Sequence, residues 1–224
     1  MFLRSLRLVL ALALAVPVGL ALPPAPVASL DVDWGKFLGP YPVPGSEQAK
    51  GEEAILFWLQ RTRTREDVAR ARATDWLVPD AFADLYPGGF RFASKPKTAA
   101  LLEAGRVALR PAVAVQKKNF RRARPFLALE GLHPCVEKEL TGSYPSGHAS
   151  LAGLLARILA ELDPPHREAI LERGNQVAHD RVLAGAHWPS DVEAGLRMGA
   201  AFAEGWMAEH RAEVDAVIAA EWKR

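Results

Sequence analysis

One cysteine, Cys135, stands in 224 residues, so no disulfide can close within the chain, although an exported protein would be permitted one. Cys135 therefore reads as a small buried or incidental thiol. Charge of one sign is also scarce. The formal net charge is +2, and without Arg4 and Arg7 the remainder carries 26 basic and 26 acidic residues. That balance excludes broad electrostatic capture of a nucleic acid polymer, and it confines any positive field to a local site. Gly and Pro are not in excess and half of the residues are apolar, which argues against disorder. No internal repeat, low-complexity tract or series of alternating strands is present. After Leu22 no apolar run reaches the ~20 residues that a membrane-spanning helix needs.

The first 22 residues do contain an apolar run. Arg4 and Arg7 precede Leu8 to Leu22, and Gly19-Leu20-Ala21 supplies small residues, the pattern of a secretory signal over 1–21. At about 15 residues the run is short for a membrane anchor. Residues 22–45 hold Pro23, Pro24, Pro26, Pro40, Pro42 and Pro44 and read as an extended lead-in. Residues 46–224 read as one compact all-α domain. Ser46 can cap a helix carrying Ala54, Ile55, Trp58 and Leu59, and Thr64 with Asp67 resembles a capping box. Ser94 or Thr98 can start a third helix with Ala100, Leu101, Ala104, Val107 and Ala108 on its inner face, which Pro111 should kink or end. Leu151 to Leu162 is strongly periodic and stops at Asp163-Pro164-Pro165. Helices should follow from about His166 to Leu183, from Pro189 onward, and through Val214, Val217, Ile218 and Trp222. Segments 31–45 and 75–92 are candidates to cover a pocket.

Three short clusters carry the chemistry. They are Lys117 with Arg124-Pro125, then Pro145-Ser146-Gly147-His148, then Arg181 with His187 and Asp191. Taken singly these are a surface charge, a helix cap and a structural pair. In this order they assemble what is needed to grip a phosphate and pass it through an imidazole. Arg124 and Arg181 can each fork onto two oxygens, and Lys117 adds a point charge. Ser146 and Gly147 open a helix whose first N–H groups have no internal partner and point at whatever anion sits there. His187 and Asp191 lie four apart, so one turn can set the carboxylate against the ring. Asp191 would keep one nitrogen protonated and leave the other lone pair free to attack. His148 would face the leaving oxygen as general acid and later take a proton from water. A metal held by His148, His187 and Asp191 would be repelled by the nearby cations, so neither a metal nor another cofactor is expected. Lys118, Arg121 and Arg122 read as solvated or structural. Trp188, beside His187, is a candidate wall.

These residues resemble the type-2 phosphatidic acid phosphatase superfamily, which includes bacterial non-specific acid phosphatases, lipid phosphatases and vanadium haloperoxidases. The matching pattern is Lys117-x6-Arg124-Pro125, Pro145 to His148, and Arg181-x5-His187-x3-Asp191. The strings Gly142 to His148 and Gly185 to Val192 look like the class A acid phosphatases. The resemblance implies an all-α fold, a metal-independent phosphohistidine route and a periplasmic or secreted home. It implies His187 as nucleophile, His148 as acid and base, Asp191 as orienter, and Lys117, Arg124, Ser146, Gly147 and Arg181 as the phosphate cradle. One position departs from the pattern: Asp180 stands where the family has Ser, and it could pair with Arg181.

The expected activity is hydrolysis of small phosphate monoesters by an enzyme not inserted in a membrane after leader removal. Transfer to an alcohol acceptor is a plausible side activity, and a homo-oligomer is left open. The alternatives are a lipid phosphate phosphatase, a vanadate-dependent haloperoxidase, and a phosphate-ester binder without turnover.

Overall fold

The computed structural model describes residues 32–75, 79–86 and 92–222. The signal over 1–21, the start of the lead-in, Trp76 and parts of the 75–92 segment lie outside them. Among the described residues the fold is helical throughout, as the resemblance implies.

A central helix, α6 (Gly147–Leu162), organises the molecule. It is buried on nearly every side, with Ala149, Leu154, Leu155, Ile158, Leu159 and Leu162 all at 2% exposure or less. A helix apolar all round belongs in the middle of a bundle. It packs against α7 (Arg167–Leu183), α8 (Pro189–Glu209) and α4 (Pro96–Phe120). The α6–α8 crossing is very close because glycine stands at the contact. A Cβ added at Gly199 would lie 1.8 Å from the Ser150 carbonyl oxygen, and one at Gly195 would lie 2.5 Å from that of Ser146. Those two glycines bring the starts of α6 and α8 together, and the site lies there.

The remaining helices wrap this core. α1 (Trp34–Leu38) is capped by Asp33 and buries Trp34 and Leu38, so the lead-in contains a helix docked on the core, which its prolines had obscured. α2 (Glu47–Thr62) and α3 (Arg65–Ala73) begin at the expected Ser46 cap and Thr64–Asp67 capping box. α5 (Pro125–Ala128) is a single turn, and α9 (Arg211–Val217) runs into a wider turn over Ile218–Trp222.

The structure corrects the faces expected of two helices. α2 buries Ala49, Glu52 and Leu56, whereas Ile55 is 44% and Trp58 52% exposed. The inward face carries a charged residue, Glu52, so apolarity alone pointed to the wrong side. α4 buries Thr98, Leu101, Leu102, Gly105, Leu109, Val113 and Gln116, and Val107 is exposed. Gly105 marks the true seam, since a Cβ there would stand 3.1 Å from Ile158 Cδ1. Neither Ser94 nor Thr98 caps α4. The carboxylate of Glu221 does so, accepting from Lys97 N at 2.8 Å and Thr98 N at 2.9 Å. Nor does Pro111 end α4, which continues to Phe120. Pro111 lies on the exposed side, where the carbonyl that loses its helical partner faces solvent.

Candidate active site

Helix ends supply the site. Lys117 is in the last turn of α4, Arg124 caps α5, Ser146 caps α6, Arg181 is in the last turn of α7, and Asp191 is in the first turn of α8. After α7 the chain turns through Gly185 at φ 73°, a left-handed conformation that glycine adopts freely. The N–H groups of Ala186 and His187 then return to the Arg181 carbonyl at 3.0 and 3.3 Å. This places His187 between the ends of α7 and α8, 1% exposed. The Ser146 N–H donates to the Asp191 carbonyl at 2.9 Å, joining the first turns of α6 and α8.

The hydrogen bonds define the tautomer of His187. Its Nδ1 lies 3.2 Å from Asp191 Oδ2, and an ionised carboxylate only accepts, so Nδ1 carries the proton. The lone pair on Nε2 receives Arg124 Nη1 at 2.9 Å. Asp191 is held in turn by Trp188 N at 3.0 Å, by Arg122 Nη1 at 2.7 Å and by the Ser143 hydroxyl. Burial drives the His187 pKa down to about 3, and the cations of Arg124 and Lys117 push the same way, against its bond to Asp191. The ring is neutral in mildly acid and neutral solution. Burial alone would raise the Asp191 pKa, but bonding to His187, the charge of Arg122 and the Ser143 hydroxyl outweigh it and hold the carboxyl below its ordinary value.

On the opposite wall, His148 Nε2 donates to the Asp75 carbonyl at 2.7 Å, which leaves Nδ1 as the titrating nitrogen. Burial, with Arg181 nearby, lowers the His148 pKa from 6.5. The Asp75 carboxylate also accepts from Arg181 Nη1, so one residue ties both groups. Arg181 Nη2 bonds the Ala71 carbonyl and, at 3.0 Å, Thr74 Oγ1. The buried Arg181 Nε has no partner among the described residues. The guanidinium of Arg181 thus bonds residues 71–75 rather than the His187 ring. Asp180 does not pair with Arg181 either. It bonds Arg70 Nε at 3.0 Å, which answers the question raised by the departure at this position. Lys117 Nζ donates to the Gly142 carbonyl, and burial, with Arg124 nearby, lowers its pKa to about 8. Lys117, Gly147, His148, Asp75 and Glu139 line a cavity of about 820 Å³.

All eight expected residues therefore gather around one region, and several unexpected ones join them. Arg122 is buried rather than solvated. It bridges Glu52 at 2.6 Å and Asp191, and its guanidinium lies 4.8 Å from both the Tyr41 and Trp188 rings. Glu52 also accepts from the Ser190 N–H at 2.7 Å, and Glu139 pairs with Arg124 at 2.6 Å. Position in a run of basic residues disguised Arg122. Glu52 left one trace, a carboxylate in register with Ala49 and Leu56, but nothing local named its partner.

A helical bundle that gathers two histidines, two arginines and a lysine at its helix ends, beside a cavity that Lys117 and His148 line, defines a class of anion-handling α proteins. Residues 99–214 match the model of the PAP2 superfamily, and the chain belongs to that family. It is 33% identical over 179 residues to the non-specific acid phosphatase of Providencia stuartii, an overlap of 73% of this chain and 69% of that one. It is 42% identical over 93 residues to the non-specific acid phosphatase of Salmonella typhimurium, covering 40% of this chain and 37% of the relative. Among solved structures it resembles a transmembrane PAP2-type phosphatidylglycerolphosphate phosphatase from Bacillus subtilis. The TM-score is 0.53 at 20% identity, over 75% of this chain and 88% of that one, which speaks to the fold alone. No described helix of the present chain is long and apolar enough to cross a membrane.

Proposed function

We propose that the protein is a non-specific acid phosphatase that hydrolyses phosphate monoesters through a phosphohistidine at His187. The observation that carries this reading is the chain of contacts Asp191–His187–Arg124. It presents a neutral, oriented imidazole lone pair to a guanidinium that can take over a phosphoryl oxygen. Family membership and the acid phosphatase relatives support it.

In the first step His187 Nε2 attacks phosphorus as Arg124 Nη1 transfers from the ring to a phosphoryl oxygen. The bond to the ester oxygen breaks, and protonated His148 supplies the proton that makes the leaving group an alcohol. Lys117, Arg181 and the N–H groups at the start of α6 hold the equatorial oxygens. In the second step His148 accepts a proton from water, the water oxygen bonds to phosphorus, and the N–P bond breaks. Phosphate leaves and His187 is neutral again. An alcohol in place of water gives the phosphotransferase side activity. Export to the periplasm or beyond, directed by residues 1–21, completes the proposal.

Release of p-nitrophenol, nucleosides and sugars from their monophosphates tests this reading, with wild type compared with His187→Ala and His148→Ala. Turnover should be lost in the first variant and fall by roughly 10²- to 10⁴-fold in the second, the usual contribution of a general acid. Undiminished activity of His187→Ala would refute it. A lipid phosphate is a second reading, favoured by Val107 and Val115, which are 54% and 51% exposed on the helix that walls the cavity. Preference for micellar phosphatidate over soluble esters would select it.

A further inference from the structure

The two arginines are not equally ready for phosphate. Arg181 has a buried Nε without a partner among the described residues, a donor that needs no exchange to take an oxygen. Arg124 cannot. A guanidinium has five N–H donors, and on Arg124 every one is engaged. Nε donates to the Thr141 carbonyl at 3.0 Å. Nη1 donates to the Ala186 carbonyl at 3.1 Å and to His187 Nε2 at 2.9 Å. Nη2 donates to Glu139 Oε2 at 2.6 Å and to Thr141 Oγ1 at 3.1 Å. A phosphoryl group that binds Arg124 must displace at least one acceptor. Two are backbone carbonyls fixed by the fold, the Thr141 hydroxyl carries no charge to compete with an anion, and the His187 nitrogen leaves only to attack. Glu139 is different. Its side chain is 47% exposed on the cavity wall, and among the described residues its only other hydrogen bond is a long one, 3.4 Å, from the Thr141 hydroxyl.

We infer that Glu139 is an internal competitor for the phosphate site. Its carboxylate occupies Arg124 while the site is empty, and it returns to Arg124 to expel the phosphate produced. The inference rests on the phosphate-cradle reading above and adds to it a residue that limits product retention. The groups facing Glu139 favour its charged form. Burial works against ionisation, but Arg124, His148 and Lys117 together hold its pKa below the ordinary value, so the competitor stays ionised in mildly acid solution. Phosphate displaces it by offering Lys117 and Arg124 more acceptor oxygens than one carboxylate can.

The test is calorimetric titration of the full chain with inorganic phosphate at fixed ionic strength, which needs no turnover. Glu139→Gln and Glu139→Ala should each bind phosphate roughly 3- to 10-fold more tightly than wild type, the range expected when a half-exposed ion pair no longer competes. Their steady-state inhibition by phosphate should tighten by the same factor. Glu137→Gln is the control, because Glu137 is an exposed carboxylate on the same cavity wall with no hydrogen bond to Arg124. It should change binding by less than about twofold, as a screened surface charge does. Unchanged or weaker binding in both Glu139 variants overturns the inference. So does an equal gain in Glu137→Gln, which would make the effect one of general charge. Wild-type protein that binds no phosphate would instead strike the cradle reading itself.

Discussion

At the scale of single residues, the site assigns a separate protonation state to each of its titrating groups. His187 is neutral because it is buried beside two cations, and it takes up a proton only near pH 3. In the proposed mechanism His148 starts protonated, and burial with Arg181 nearby holds its pKa below 6.5 in the empty site. The consequence for kcat/KM, which reports the free enzyme, is a bell. Activity rises as pH climbs through about 3 and falls as pH climbs through the depressed His148 value. Initial rates on p-nitrophenyl phosphate should therefore peak in acid solution, and a profile still rising at neutral pH would contradict these roles. Lys117 adds a second limb. With its pKa lowered to about 8, its charge is present below that value and lost above it. Inhibition by inorganic phosphate should weaken as pH passes about 8, and Lys117→Arg, whose charge persists, should remove that step. An identical step in the variant would assign it to another group.

At the scale of helices, the site depends on how closely α6 and α8 approach. Gly199→Ala would place a Cβ against the Ser150 carbonyl and force the pair apart. Overpacking of this kind costs about 1–3 kcal/mol or more. Chemical denaturation should show that loss, and kcat should fall with it because the Ser146–Asp191 bond links the two helix starts. Full stability in the variant would mean that the helices have slack. This crossing was not legible in the sequence, yet the elements that make it were. The strong period from Leu151 to Leu162 and the stops at Pro164 and Gly185 located α6, α7 and α8. Where orientation depended on apolar spacing alone, the faces of α2 and α4 were read only in part: Leu101 is buried and Leu59 and Ala108 pack against the core as expected, but Ile55, Trp58 and Val107 are exposed. Both bury polar residues, and the partners of Glu52 in one and of Thr98 in the other are distant in sequence. The cap of α4 by Glu221 and the Arg122–Glu52–Asp191 bridge are invisible for the same reason. A single sequence carries local signals, and these contacts join segments about 70 or more residues apart.

At the scale of the whole molecule, helix ends from five separate elements meet beside one cavity, which Lys117, Gly147 and His148 line, and the chemistry-bearing residues sit at those ends rather than inside the helices. That is why three short clusters named residues that the fold brings into one region, while the neighbours Asp75, Glu139, Ser143 and Arg122 escaped notice. The proposed export has its own test. Expressed with its leader in a bacterium with two membranes, the protein should appear in the periplasmic fraction with a mass ending its leader at Ala21. Recovery of the uncleaved chain in membranes would favour an anchor. The central claim is more direct: phosphate passes through the nitrogen of one imidazole. Rapid denaturing quench during turnover, followed by mass spectrometry of the peptides, locates the phosphoryl group. The account predicts phosphate on His187 in wild type and none in His187→Ala. Phosphate on Ser146, or steady turnover with no phosphoryl-enzyme while His187 is intact, would contradict it.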